Sequence, residues 1–340
     1  MTTVLDSLQA GLRASLAESE TVVFLGEDIL DPYGGAFKVA RGLSSEFPDR
    51  VLTTPVSEAG IVGLGVGMAL RGLRPVVEIM FGDFLTLAAD ALINHAAKFR
   101  WMSNDQVRVP LVVRTPMGGR RGYGPTHSQS LEKHFLGVPG LRTLAACALG
   151  HPGDLLRSAI LNQDDPLLFL EHKSLYSLPV ITPGRHGEFR VEQHAHPWPA
   201  FRVSLEDAPP PILTFAAYGY MAHVAQQAIR RLAYEHELFS ELVAFTQLSP
   251  LVPDLLWTSA ASTRRLLAVE EGTRMLGWGA EVVARAAETL PGAACARVAA
   301  ADLPIPAAGS LEAAVLPDVD DLMRAALLLA GREPRRVSLG

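Results

Sequence analysis

Glu58 is a lone carboxylate in the segment TPVSEAGIVGLGVGMALRG, followed by twelve uncharged residues that include Gly60, Gly63, Gly65 and Gly67. At the edge of so apolar a seam an acid is partly desolvated, which strengthens its hold on a proton and suits it to share one with a heterocyclic nitrogen. A second reading stays open on pattern alone. Ser57 can cap a helix starting at Glu58, and an acid in a first turn gains about 0.3–1 kcal/mol from the helix dipole. The glycines weigh toward chemistry, since each weakens a helix by up to about 1 kcal/mol relative to alanine. Close approach by another backbone or a ligand would explain them.

His127 stands in GGRRGYGPTHSQS, a glycine-rich loop that follows the apolar run VPLVVRTP. An imidazole beyond the end of a strand can move protons near neutrality, or it can be a loop histidine held by local hydrogen bonds. Phe81 and Phe84, in FGDF, read on residue type alone as core residues at a strand end. The loop from Gly118 to Gly124, with Arg120 and Arg121, invites a phosphate but lacks GxGxxG and GxxxxGK[ST] patterns. The other nine histidines show no metal-ligand spacing.

These residues need elements to carry them. TVVFLGED, VLTTP, RPVVEIM, VPLVVRTP and PLLFLEH read as buried parallel strands, and 59–71, 84–101 and 153–162 as helices between them. Leu5, Leu8, Leu12 and Leu16 give an opening helix. The alternation predicts an α/β fold with a mainly parallel, doubly wound sheet over residues 1–178. Pro179, Pro183, Pro197, Pro199 and Pro209 to Pro211 make 179–210 a linker or seam. Residues 211–340 resume the alternation as a smaller α/β domain, with strands ILTFAAYG, ELVAFTQL and RLLAVEE and helices at 221–235, 279–289 and 318–330.

Composition narrows the function. The 340 residues are 49% hydrophobic and 19% charged, enough for large cores and hinting at buried subunit interfaces. A net charge of -6 without a basic block argues against nucleic acid or an anionic membrane as partner. Cys147 and Cys295 lack CxxC spacing and read as reduced structural thiols. No apolar run reaches the roughly 20 residues of a membrane span, and the opening helix is unlike a signal peptide, so the expected location is the cytoplasm.

GEDILDPYGGAFKVARGL, VLTTPVSEAGIVGLGVGMALRGLRPVVEIMFGDF, RVPLVVRTPMGG, HSQS and PLLFLEHKSLY, in this order, resemble one family. It is the beta subunit of the thiamine-diphosphate-dependent decarboxylating component of 2-oxo acid dehydrogenase complexes. Residues 1–178 carry most of the likeness; FAAYGYMAHVA, VEEGTRMLGWGAEV and LPIPAAGSLEAAVLP extend it. The resemblance implies a transketolase-like fold with a pyrimidine-binding first domain and a second domain for subunit assembly. Glu58 then bonds N1′ of the cofactor's aminopyrimidine, favouring the imino tautomer that takes the thiazolium C2 proton. Phe84, with Phe81 beside it, packs on the pyrimidine, and His127 assists proton transfer or charge stabilisation during acyl transfer to lipoamide.

Departures and absences refine this. The chain has no GDG with a downstream Asn, the pattern that anchors Mg²⁺ and diphosphate, so the resemblance places Mg²⁺ on an alpha subunit in an α2β2 heterotetramer. A lipoyl-bearing acyltransferase and a 2-oxo acid are the other implied partners. Pro125 stands where branched-chain members have a second histidine, which leaves the substrate open. A structural K⁺ site in many members maps to Leu111, Ala159 and Asp164, with one additional residue here before Pro166. Two other readings keep the fold: a two-component thiamine-diphosphate carboligase, and a catalytically silent scaffold subunit. A nucleotide-binding domain would need a phosphate motif that is not there.

Overall fold

The computed structural model describes residues 1–194 and 198–333; Pro197 and the end of the second domain lie outside them. The chain opens with α1 (Val4–Glu18), whose Thr3 and Asp6 form a reciprocal capping box and whose Leu8, Leu12 and Leu16 are buried. Then follow β1 (Val22–Gly26), α2 (Leu43–Glu46), β2 (Val51–Thr53), α3 (Glu58–Leu70) and β3 (Arg74–Glu78). The periodicity of 84–101 predicts a single helix. Instead a 3₁₀ segment (Gly82–Ala88), a π segment (Ala91–Ala96) and α4 (Ala97–Met102) succeed one another. Changing the turn width lets Leu85, Ala88, Leu92 and Ala96 all stay on the core side of a bent path. β4 (Val112–Met117), β5 (Arg142–Ala145), α5 (Pro152–Asn162) and β6 (Leu167–His172) complete the first half.

The proline-marked stretch is not a linker. It holds β7 (Gly184–His186), β8 (Phe189–His194) and β9 (Ala200–Leu205), an antiparallel meander. Pro183 and Pro199 sit just before strands, where no ladder N–H is lost, and Phe189 and Val191 supply a buried alternate face. Next come β10 (Thr214–Tyr218), α6 (Gly219–His236), β11 (Glu241–Phe245), β12 (Gln247–Ser249), α7 (Asp254–Thr263) and β13 (Arg265–Thr273). α8 (Trp278–Thr289), β14 (Ala294–Ala300), α9 (Gly309–Val315) and α10 (Val319–Leu329) end the chain.

Two seven-stranded sheets result, ordered β12-β5-β6-β4-β3-β1-β2 and β14-β13-β10-β11-β9-β8-β7. β1 to β6 run parallel. β12 crosses from the second half to pair antiparallel with β5, tying the two halves by backbone.

Buried acids occupy the joint. Glu271 accepts from Gly119 N (2.8 Å), Arg120 Nε (2.8 Å) and His172 Nε2 (2.9 Å), while Tyr218 donates to Glu132 at 2.5 Å. Glu270 accepts from the backbone N–H groups of Trp278 and Gly279 at the start of α8. Those bonds favour the carboxylate, yet burial, reinforced by Glu132, wins and pushes Glu270 up to about 7. The folded chain therefore holds a proton there that the unfolded chain releases near pH 4.3. Glu270's contribution is fully present below the unfolded value and is lost as pH rises through 7, on the order of 3 kcal/mol in all. Urea unfolding between pH 5 and 8 checks this: wild type should lose stability relative to E270Q across the window.

Candidate active site

The carboxyl ends of β2, β1, β3, β4 and β6 are consecutive along one edge of the first sheet, at roughly 4.8 Å per strand. After β2 the chain returns to the other side of β1, so the edge contains a topological switch point, where open α/β sheets bind ligands. Onto this edge the chain delivers Glu58 after β2, Glu27 after β1, Phe81 and Phe84 after β3, His127 after β4 and Lys173 after β6.

Glu58 opens α3 and is only 6% exposed. Ser57 makes no side-chain cap to this helix, so the capping role open to it in the sequence is not taken. Among the described residues nothing donates a hydrogen bond to the Glu58 carboxylate. Gly65 turns inward, where a Cβ would stand 3.0 Å from Leu111 and Val77; Gly63 and Gly67 face outward beside exposed Leu64. Glu27 lies next to Glu58, with Oε1 buried and unpartnered. Burial first, and then the charge of Glu58, raises Glu27 above the usual carboxylate range. Two acids at one point, one of them inclined to keep a proton, fit a partner that brings an N–H donor.

Phe81, Phe84 and His127 form a three-ring wall. Phe81 and Phe84 meet edge-on at 5.9 Å, and the His127 ring stands edge-on to Phe81 at 4.9 Å and to Phe84 at 5.3 Å. Phe37 and Tyr123 extend it around Phe81 at 5.5 and 6.1 Å. α3 packs on the segment bearing Phe84, which links the Glu58 end to the aromatic end. The His127 loop is pinned from below: Asp83 Oδ1 accepts from Gln129 N (3.2 Å) and Nε2 (2.9 Å). Gly118, at φ 90°, lets the strand turn sharply where a Cβ would fall 2.1 Å from His172.

Beneath the wall lies a charged floor. Arg114 on β4 makes a bidentate pair with Glu171 on β6 (2.8 and 2.6 Å) and a third bond to Glu78 on β3. Tyr176 also donates to Glu171 at 2.7 Å. All four are buried. Glu78 is raised, burial outweighing its arginine. Glu27, Asp83, Lys173 and this floor were not singled out from sequence, although Glu27, Asp83 and Lys173 lie inside the motifs GED, FGDF and HKSLY.

Leu111 and Asp164, carried over for a potassium ion, already serve the fold with their backbone oxygens. Leu111 O accepts from Leu167 N (2.8 Å) and Asp164 O from Val109 N (3.1 Å), while Ala159 is buried within α5. Arg74 already brings positive charge to the end of α5, donating to Ile160 O (3.1 Å), Gln163 O (2.9 Å) and the Asp164 carboxylate (2.8 Å). A second cation there would face a guanidinium. Among the described residues no group of three or more His, Cys, Asp or Glu could hold a metal.

Two α/β units joined by a crossing strand, with an acid and an aromatic wall at the first unit's switch point, define a two-domain protein of the transketolase type. Residues 2–179 match the family "Transketolase, pyrimidine binding domain" and residues 206–322 "Transketolase, C-terminal domain". A solved structure titled "Split gene transketolase, inactive beta4 tetramer" superposes with a TM-score of 0.75, covering 98% of this chain and 100% of that one; at 16% identity it speaks to fold alone. The mitochondrial pyruvate dehydrogenase E1 component subunit beta-1 of Oryza sativa subsp. japonica is 36% identical, over 95% of this chain and 85% of that protein. The 2-oxoisovalerate dehydrogenase subunit beta of Pseudomonas aeruginosa is 37% identical, over 83% and 81%. The chain belongs to the family of E1 beta subunits of 2-oxo acid dehydrogenases.

Proposed function

We propose that this chain is the beta half of a heteromeric 2-oxo acid dehydrogenase, which decarboxylates a 2-oxo acid and passes the acyl group to lipoamide. The carrying observation is Glu58, a nearly buried carboxylate with no hydrogen bond from the described residues, set beside an aromatic wall. Those residues fit thiamine diphosphate, which when bound supplies a nucleophilic carbon and an electron sink. Glu58 would hold a proton at N1′ of the aminopyrimidine. Glu27 beside it, raised first by burial and then by the charge of Glu58, binds a proton more tightly than an ordinary carboxyl. Phe84 and Phe81 give the ring an apolar face and exclude water. His127, at the edge of that wall, would move a proton or steady developing charge at the acyl group. An alpha chain would contribute Mg²⁺ and the diphosphate site in an α2β2 assembly, in the cytoplasm, and the lipoyl-bearing acyltransferase would receive the acyl group.

The test is reconstitution with an alpha chain, thiamine diphosphate and Mg²⁺, offering pyruvate, branched-chain oxo acids and 2-oxoglutarate. The expected result is carbon dioxide release with acylation of an added lipoyl domain. Release that stops unless an acceptor aldehyde or ketone is supplied would make the complex a carboligase, and no release at all would make the chain a scaffold.

A further inference from the structure

Lys173 follows β6 and is fully buried, the only core lysine among the described residues. No carboxylate pairs with it among the described residues. Its ammonium has three N–H donors. One goes to the backbone oxygen of His127, and the nitrogen stands 5.2 Å over the centroid of the Phe81 ring and 5.4 Å over that of Tyr123. The Lys173 backbone is itself fixed, its N–H donating to Met117 O (3.2 Å) and its carbonyl accepting from Arg121 (2.8 Å). One charged group therefore touches the His127 loop and the face of Phe81 together, and both belong to the wall.

We propose that Lys173 is the positioning residue of this site: its buried ammonium anchors His127 through its carbonyl and Phe81 through its ring face, and so sets where the imidazole stands. The proposal rests on the function given above. Being fully covered, Lys173 touches no substrate and acts only through those two neighbours. The charged groups around it oppose one another. Asp83, Glu271 and Glu312 favour the ammonium, while Arg121 disfavours it. Burial exceeds them all and brings Lys173 down to about 8. Loss of that proton replaces a charge-assisted bond to His127 by a neutral one roughly half as strong and removes the attraction to both rings.

The full chain in complex with its alpha partner is compared as wild type, K173M and K173R. K173M is expected to lower kcat about tenfold or more, with a smaller rise, about threefold or less, in the Kd for thiamine diphosphate, because His127 loses a hydrogen bond whereas Phe81 loses only a weaker attraction to its ring and Phe84 keeps its place. K173R keeps a charge that does not titrate below about pH 12. It should recover part of kcat and lack the alkaline fall in kcat expected of wild type near pH 8. A second readout needs no turnover: amide hydrogen exchange over residues 124–129, corrected for its intrinsic pH dependence, should rise about threefold or more through pH 8 in wild type and not in K173R. Identical pH dependence of wild type and K173R in both measurements overturns the proposal, whether or not K173M folds. If the wild-type complex turns over no 2-oxo acid, the functional reading has failed and the exchange measurement alone decides Lys173.

Discussion

Replacing Glu58 by glutamine should lower kcat of the reconstituted complex by about 10²–10⁴-fold, the range for loss of a positioned acid or base, without loss of stability. The two halves of that expectation come from different observations. Activity should collapse because Glu58 is the acid whose oxygens are left free at the switch-point edge, and an amide there cannot take or share a proton at N1′. Stability should hold, or rise slightly, because among the described residues no hydrogen bond depends on this carboxylate. Removing its charge also relieves Glu27, whose proton is held partly by repulsion from Glu58. A residue that stabilises a helix start behaves the opposite way, costing stability when neutralised and leaving turnover alone. Steady-state decarboxylation together with urea unfolding of the same preparation separates the cases. Turnover within about threefold of wild type would remove Glu58 from the chemistry.

What could be read from the sequence followed the range of the forces involved. Strands β1, β3, β4 and β6 were visible as short, mainly apolar runs, because a parallel strand covered on both faces has little else to be; β2, expected to be buried as well, is an exposed edge strand. His127 could be placed in a loop after such a run, whereas Phe81 and Phe84 were reached only through the family resemblance; the three do meet, at 4.9 to 5.9 Å. Lys173 could not be. What makes it more than a surface lysine is a carbonyl 46 residues away and the rings of Phe81 and Tyr123. Arg114 is similar: it sits in an otherwise apolar strand, and its partners Glu78 and Glu171 lie 36 and 57 residues off. β7 to β9 were hidden for another reason. Prolines that flank strands look locally like prolines that forbid them, and only the ladder with β11 tells the two apart. β12 was hidden because ELVAFTQL reads as one strand, whereas the chain switches sheets within it.

Arg114→Met should be the most destabilising single change in the site, about 3–5 kcal/mol by urea unfolding at pH 7. The arginine is 1% exposed and serves two carboxylates. Methionine fills much of the volume but leaves Glu171 and Glu78 as uncompensated buried acids, and that penalty exceeds any gain from an apolar side chain. Glu78→Gln should be far milder, about 1 kcal/mol or less, since burial already disfavours the Glu78 charge and an amide keeps its shape without bringing a charge into the core. The pH dependence distinguishes lost charge pairing from lost packing. In Arg114→Met the orphaned acids regain neutrality as pH falls, so its deficit relative to wild type should shrink from pH 8 to pH 5, whereas a packing defect would be indifferent to pH. Because Arg114 joins β3, β4 and β6 beneath the aromatic wall, the same variant should lose turnover even where it remains folded. An Arg114→Met protein as stable as wild type at pH 8 would mean that the floor is hydrated and does not hold the site in shape.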